Sequence, residues 1–218
     1  LLEAARAALA REVAPGGRLD SVALEQQQFA THGLAWAATY VEALRQALRW
    51  AERLEAAGQL GATERAILTL GFAEYGGQLA GGIAMSQVEM ARPADLGVPE
   101  PVVAALRAAV APFGEPRRLA AARAAMLAAL EAEDFGAVGL EDPDMAMLRE
   151  QFARFTAAEV TPHAHGWHMA NALIPLDLIA KLGALGTFGV TIPEEHGGLG
   201  LGKVAMCLVS EMLSEGYI

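Results

Sequence analysis

Apolar residues recur along most of this chain at intervals of three and four, the signature of helices that each bury one stripe. The pattern predicts a short helix over Leu2–Val13, stopped by Pro15-Gly16-Gly17. Ser21 is placed as the N-cap of a second helical run that extends from Val22 to near Gly58. Within it Leu34, Tyr40, Val41, Leu44, Leu48 and Leu54 keep a helical spacing, and Gly33 marks a break. Gly58 and Gly61 supply a stop and a turn, after which Thr63 can cap a third helix over Glu64–Met90. That helix carries Gly71, Gly76, Gly77, Gly81 and Gly82, a costly composition that predicts close helix–helix packing. Beyond a linker from Arg92-Pro93 to Pro99, further helices are expected near Val102–Val110 and Leu119–Glu131.

The acidic, Gly-rich stretch Glu133–Pro143 has no periodicity and reads as a boundary, dividing the chain into residues 1–135 and 136–218. Asp144 then caps a helix with Met147, Leu148, Phe152, Phe155, Ala158 and Glu159 on one flank, kinked or restarted at Pro162. Leu173–Leu185, entered through Pro175, and Leu201–Leu213, with Val204, Leu208 and Met212 in register, complete the helices. No segment alternates with period two, so the fold class is all-α, with Phe188–Ile192 as its one strand-like run.

Composition narrows the function classes. A hydrophobic content of 54% excludes disorder, and a net charge of −10 argues against a nucleic-acid partner. No uninterrupted run of about 18 apolar residues is present to span a membrane. The single Cys207 excludes an internal disulfide and fits a reducing, cytoplasmic compartment. Within an apolar stripe it reads as an inert packing thiol. Leu1-Leu2-Glu3-Ala4 has neither an initiator Met nor a basic leader segment, and the chain stops just after an amphipathic run; it reads as a piece of a longer protein.

Three local signals invite chemistry. His163, His165 and His168 suggest a metal site, but at 100° per residue only His165 and His168 share a helix face, so no metal is expected. Gly197–Lys203 approaches a phosphate loop, yet Val204 stands where the magnesium-binding hydroxyl belongs and Glu194-Glu195 precede it. Those adjacent carboxylates suit acid–base work only in unlike environments; a solvated loop capping the next helix is the expected state. No Ser-His-Asp or Cys-His arrangement is legible, so the residues alone give an acidic helical protein without an autonomous active site.

The stretch LGALGTFGVTIPEEHGGLGLG (Leu182–Gly202), followed by a helix carrying SEMLSEGYI, resembles the N-terminal α-domain of the acyl-CoA dehydrogenases. The preceding FARFTAAEVTPHAHGWHMANALIPLDLIAKLG resembles that family's first helices, so the likeness covers about Met145–Ile218. Phe29–Leu54 and Glu74–Gly97 resemble the helical N-terminal extension of a branch of the family that oxidises a short branched or dicarboxylic acyl-CoA. The resemblance implies a helical N-terminal extension (1–135) followed by a truncated N-terminal α-domain (136–218). It implies oxidation of an acyl-CoA thioester to its trans-2-enoyl-CoA, with FAD as hydride acceptor, an electron-transferring flavoprotein as the next acceptor, and a homo-oligomer. It also implies that the β-sheet domain, the catalytic carboxylate and most flavin contacts lie in sequence beyond this chain, which alone would be inactive. No catalytic or FAD-binding residue is assigned to the chain; Tyr217 and Ile218 are expected to neighbour the acyl pocket. The alternative is a non-catalytic helical interaction module.

Overall fold

The computed structural model describes residues 1–217. They form two compact units, Leu1–Gly139 and the segment from Leu140 onward. The first opens with α1 (Leu2–Val13), which buries Ala5, Leu9 and Val13 on one side. The next helix is capped by Asp20 rather than Ser21: its Oδ1 accepts from Val22 N at 2.8 Å and Ala23 N at 3.1 Å. One carboxylate oxygen thereby satisfies two of the orphan amides of a helix start. The long helical run breaks at Gln27, into α2 (Ser21–Gln26) and α3 (Gln28–Ala56). Gly33, the expected break, lies inside α3. A Cβ there would stand 2.8 Å from Ala91 Cβ and 3.0 Å from Leu96 Cδ2, so this glycine permits close packing instead.

The third helix, α4 (Ala62–Gly81), starts after an N-cap at Gly61 and stops well short of Met90. Gly82, at φ 141°, turns the chain into a small antiparallel hairpin, β1 (Ile83–Ala84) with β2 (Met90–Ala91), Ile83 facing Ala91 and Ala84 facing Met90. Two-residue strands are too short to display alternation, so the all-helical pattern conceals them. Phe188–Ile192, by contrast, contains helical turns and no strand. Of the α4 glycines, Gly76 meets its neighbour, with Val110 Cγ1 2.7 Å from a built Cβ; Gly71, Gly77 and Gly81 face open space and do not pack as expected. Then come α5 (Glu100–Val110) and α6 (Pro116–Glu131). The core gathers Leu9, Ala37, Leu79, Ile83, Leu96 and Val103.

The patternless segment after α6 is fastened to the first unit. Glu64, 5% exposed, accepts from Gly61 N at 2.9 Å through one oxygen and from Ala137 N at 2.7 Å through the other. Thr63 does not cap α4; its hydroxyl donates to Asp134 Oδ2 at 2.9 Å, while Asp134 Oδ1 accepts from Gly136 N at 2.9 Å. The Trp50 indole N–H is shared between the carbonyls of Ala137 and Val138, both at 3.1 Å. The Ala137 amide in particular holds the Glu64 carboxyl below its ordinary pKa, and the Gly136 amide does the same for Asp134. Both groups therefore contribute stability that is fully present above their unfolded pKa values of about 4 and is lost as pH falls through the lower folded values. Urea midpoints of the first unit should fall on acidification below about pH 4, and Glu64→Gln should flatten that dependence. An unchanged acid limb in the variant would count against the clasp.

The second unit begins with α7 (Pro143–Phe155), capped by Asp142, whose Oδ1 accepts from Asp144 N at 2.9 Å; Asp144 sits in the first turn instead. The helix widens into a π turn at Thr156–Val160 and continues as α8 (Thr161–Met169), with Pro162 in its first turn. After α9 (Leu176–Ala184) comes the Gly-rich loop, then α10 (Gly202–Gly216). Phe152, Val190, Ala205, Val209 and Met212 form the core. The buried stripe of α10 is Ala205, Leu208, Val209 and Met212; Val204 is 58% exposed and Cys207 is exposed, so neither packs as expected. Met147, likewise, is 61% exposed.

Candidate functional site

The Gly-rich loop is closed on itself. Its amides donate in turn to carbonyls of the preceding residues: Gly197 N to Glu194 O at 2.9 Å, Gly198 N to Pro193 O at 3.2 Å and Leu199 N to Gly189 O at 2.8 Å. Gly200 N reaches Ile192 O and Leu201 N reaches Val190 O, each at 2.9 Å. A phosphate cradle works by pointing free amides at an anion, and here five consecutive amides are already engaged. Glu194 and Glu195 are exposed on a helical turn, and the following helix takes Leu201 as its N-cap without a side-chain hydrogen bond, so the carboxylates do not cap it.

Tyr217, half-buried, leaves the end of α10 in extended backbone at φ −164° and ψ 130°. Its ring meets Trp167 edge-on, with centroids 6.1 Å apart and planes at 76°. Trp167 lies tilted against His163 at 5.7 Å. These two line a small cavity of about 260 Å³ with Glu159, Lys181, Asp177, Leu178 and Pro175. Lys181 Nζ donates to Glu159 Oε2 at 2.5 Å, tying α9 to the π turn, and this bond raises the ammonium pKa above its ordinary value. Among the described residues, no cluster of three or more His, Cys, Asp or Glu is arranged to hold a metal. Ile218 lies outside the described residues. Sequence periodicity does not single out Trp167 or Thr156; the available signal is Pro162, which demands an accommodation in any helix that contains it.

Residues 142–218 match the sequence profile of the acyl-CoA dehydrogenase N-terminal domain. This segment is similar to an acyl-CoA dehydrogenase N-terminal domain. Over its whole length the chain is 47% identical to the (2S)-methylsuccinyl-CoA dehydrogenase of Cereibacter sphaeroides, of which it covers 40%. It is 32% identical to the glutaryl-CoA dehydrogenase of Desulfococcus multivorans, a match over 34% of this chain and 19% of that enzyme. To the mitochondrial isovaleryl-CoA dehydrogenase of Solanum tuberosum it is 35% identical, over 34% of this chain and 18% of that enzyme. The chain thus spans well under half the length of these relatives, while its likeness to the methylsuccinyl-CoA enzyme takes in both units.

Acyl-CoA dehydrogenases are flavoproteins, so the chain's own cavities can be tested against FAD. The cavity lined by Trp167 falls below the ~300–1,000 Å³ of ordinary ligand sites, and its lysine, Lys181, is already engaged by Glu159. A cleft of about 810 Å³ in the first unit is lined by Ser21, Leu24, Glu25, Gln28, Phe29, Thr31, His32 and Glu89, without a Lys or Arg. There His32 Nε2 accepts from Trp36 Nε1 at 3.0 Å. Two carboxylates and no Lys or Arg do not make a pyrophosphate site. Neither of these two cavities fits FAD by itself, and no step of the chemistry is assigned to their residues.

Proposed function

We propose that this chain is the amino-terminal part of an FAD-dependent acyl-CoA dehydrogenase that converts (2S)-methylsuccinyl-CoA to mesaconyl-CoA. The observation that carries this reading is the 47% identity over the entire chain, extension included, to a (2S)-methylsuccinyl-CoA dehydrogenase. The flavin contacts and the base that removes the substrate's α-proton are assigned to sequence outside these residues. The chain's own share is structural and positional: it supplies the extension, residues 1–135, and part of the α-domain, residues 136–218. In this reading Tyr217 and Ile218 are the residues of that part assigned as neighbours of the acyl group. An electron-transferring flavoprotein is the electron acceptor in this reading, and the enzyme is a homo-oligomer of the cytoplasm, in keeping with a single cysteine.

The test is made on the full-length polypeptide that carries this chain. Purified protein should show flavin absorbance, reduce an artificial electron acceptor with (2S)-methylsuccinyl-CoA, and release mesaconyl-CoA identified by mass. The 218-residue chain alone should bind no flavin and show no turnover. A flavin-loaded full-length protein that leaves methylsuccinyl-CoA unreacted, yet oxidises another acyl-CoA, would overturn the substrate and keep the family. Absence of flavin and of any acyl-CoA oxidation would overturn both.

A further inference from the structure

Resting on the proposed function, we infer that Gly216 is a positioning residue, through which the π turn at Thr156–Val160 fixes the place of Tyr217 beside the acyl group. Pro162 has no amide hydrogen, and its ring crowds the carbonyl four residues back. The chain answers by widening, and Thr161 N donates five residues back, to Thr156 O. Thr156 and Val160, 3% and 5% exposed, thereby form a seat against which α10 ends. A Cβ on Gly216 would stand 2.5 Å from Thr156 Cγ2, 3.0 Å from Val160 Cγ1 and 3.2 Å from Thr161 Oγ1. All three neighbours are β-branched and stiff at χ1 in a helix, so they cannot swing aside cheaply. Thr156 Oγ1 is buried without a hydrogen-bond partner, so that side chain is held by packing rather than by a polar contact.

The seat sets the position of the next residue, Tyr217. Its amide still donates to Leu213 O at 3.3 Å, and its ring is stopped by Trp167 at 6.1 Å. Any side chain at 216 must lift the end of α10 off the π turn, carrying Tyr217 out of register. Displacement on the scale of 1 Å at a positioning element costs up to about a hundredfold in catalytic efficiency.

The experiment uses the full-length enzyme with (2S)-methylsuccinyl-CoA. Gly216→Ala should raise KM about tenfold or more, while kcat stays within about threefold and flavin content is unchanged, the split expected when binding geometry alone is lost. Thr156→Ser removes Cγ2, the nearest atom, and the double variant Gly216→Ala/Thr156→Ser should recover most of the KM. A purely structural role would lower Tm and leave KM where it was; that result overturns the inference. If Gly216→Ala does not fold, Trp167→Leu decides the question. It removes the stop for Tyr217 without touching the seat, and should raise KM similarly; an unchanged KM overturns the inference. Wild-type protein that oxidises no acyl-CoA would instead defeat the functional assignment on which this rests.

Discussion

Gly198→Ala should be the most damaging small substitution in the second unit, costing about 3 kcal/mol or more, at or beyond the upper end of ordinary overpacking. A Cβ at this position would lie 2.1 Å from Ile192 O, 2.4 Å from Ile192 Cβ and 2.5 Å from Ile192 C. Two of these are backbone atoms and none is the far end of a flexible side chain, so relief requires moving the main chain. That main chain is already committed. Ile192 O accepts from Gly200 N at 2.9 Å, and Ile192 N donates to Gly189 O at 3.1 Å. Moving Ile192 away from an alanine would break the hydrogen bonds that close the loop and disturb Val190, which is 3% exposed in the core. The measurement is urea denaturation of the chain, followed by a signal from the second unit. The control is Gly197→Ala: a Cβ there meets nothing within 4 Å, but φ is +81°, so only backbone strain of about 1 kcal/mol is incurred. Equal losses for the two variants would show that conformation, not contact, sets the requirement at 198.

Phe152→Ala should cost about 3–5 kcal/mol, the usual range for truncating a fully buried aromatic ring. Phe152 is 1% exposed at the centre of a cluster with Val190, Ala205, Val209 and Met212. The cluster joins α7, the loop and α10, so the loss reaches three elements. Phe152→Leu should recover much of the loss, because it restores most of the volume. The same denaturation experiment checks both, and a Phe152→Ala loss under about 1.5 kcal/mol would show that the unit collapses to fill the space.

Helical periodicity recovers the architecture where it is long. Leu2–Val13 is bounded to the residue, and each of the longer helices exists. It fails wherever a side chain acts on its neighbour's backbone. Asp20 and Asp142 cap helices that the pattern assigns to Ser21 and Asp144, because a carboxylate one or two residues upstream reaches the first free amides of the helix. Periodicity draws Met90 into a helix because the hairpin at Ile83–Ala91 is too short to show a period. It also places Cys207 and Val204 on the buried side of α10, but the stripe that packs runs through Ala205, Leu208, Val209 and Met212. An alanine in such a stripe carries little hydrophobic signal, although it is what allows close approach. Of the candidate site, Tyr217 is named only through family resemblance. Its surroundings are not legible, since Trp167 and Thr156 become neighbours of α10 only after the turn at Pro162 and the whole loop intervene.

The clasp around Glu64 has a practical meaning for anyone who would separate the two units. The first unit does not finish with α6 but runs eight residues further, to Gly139. Severing the chain after residue 135 would strip Glu64 of the Ala137 amide and Trp50 of both carbonyl acceptors. It would also free the carboxylate of Asp134 from Gly136. A carboxylate stranded in that interior raises the folded-state energy of an otherwise intact helical body. A cut after Gly139 leaves every one of these bonds in place.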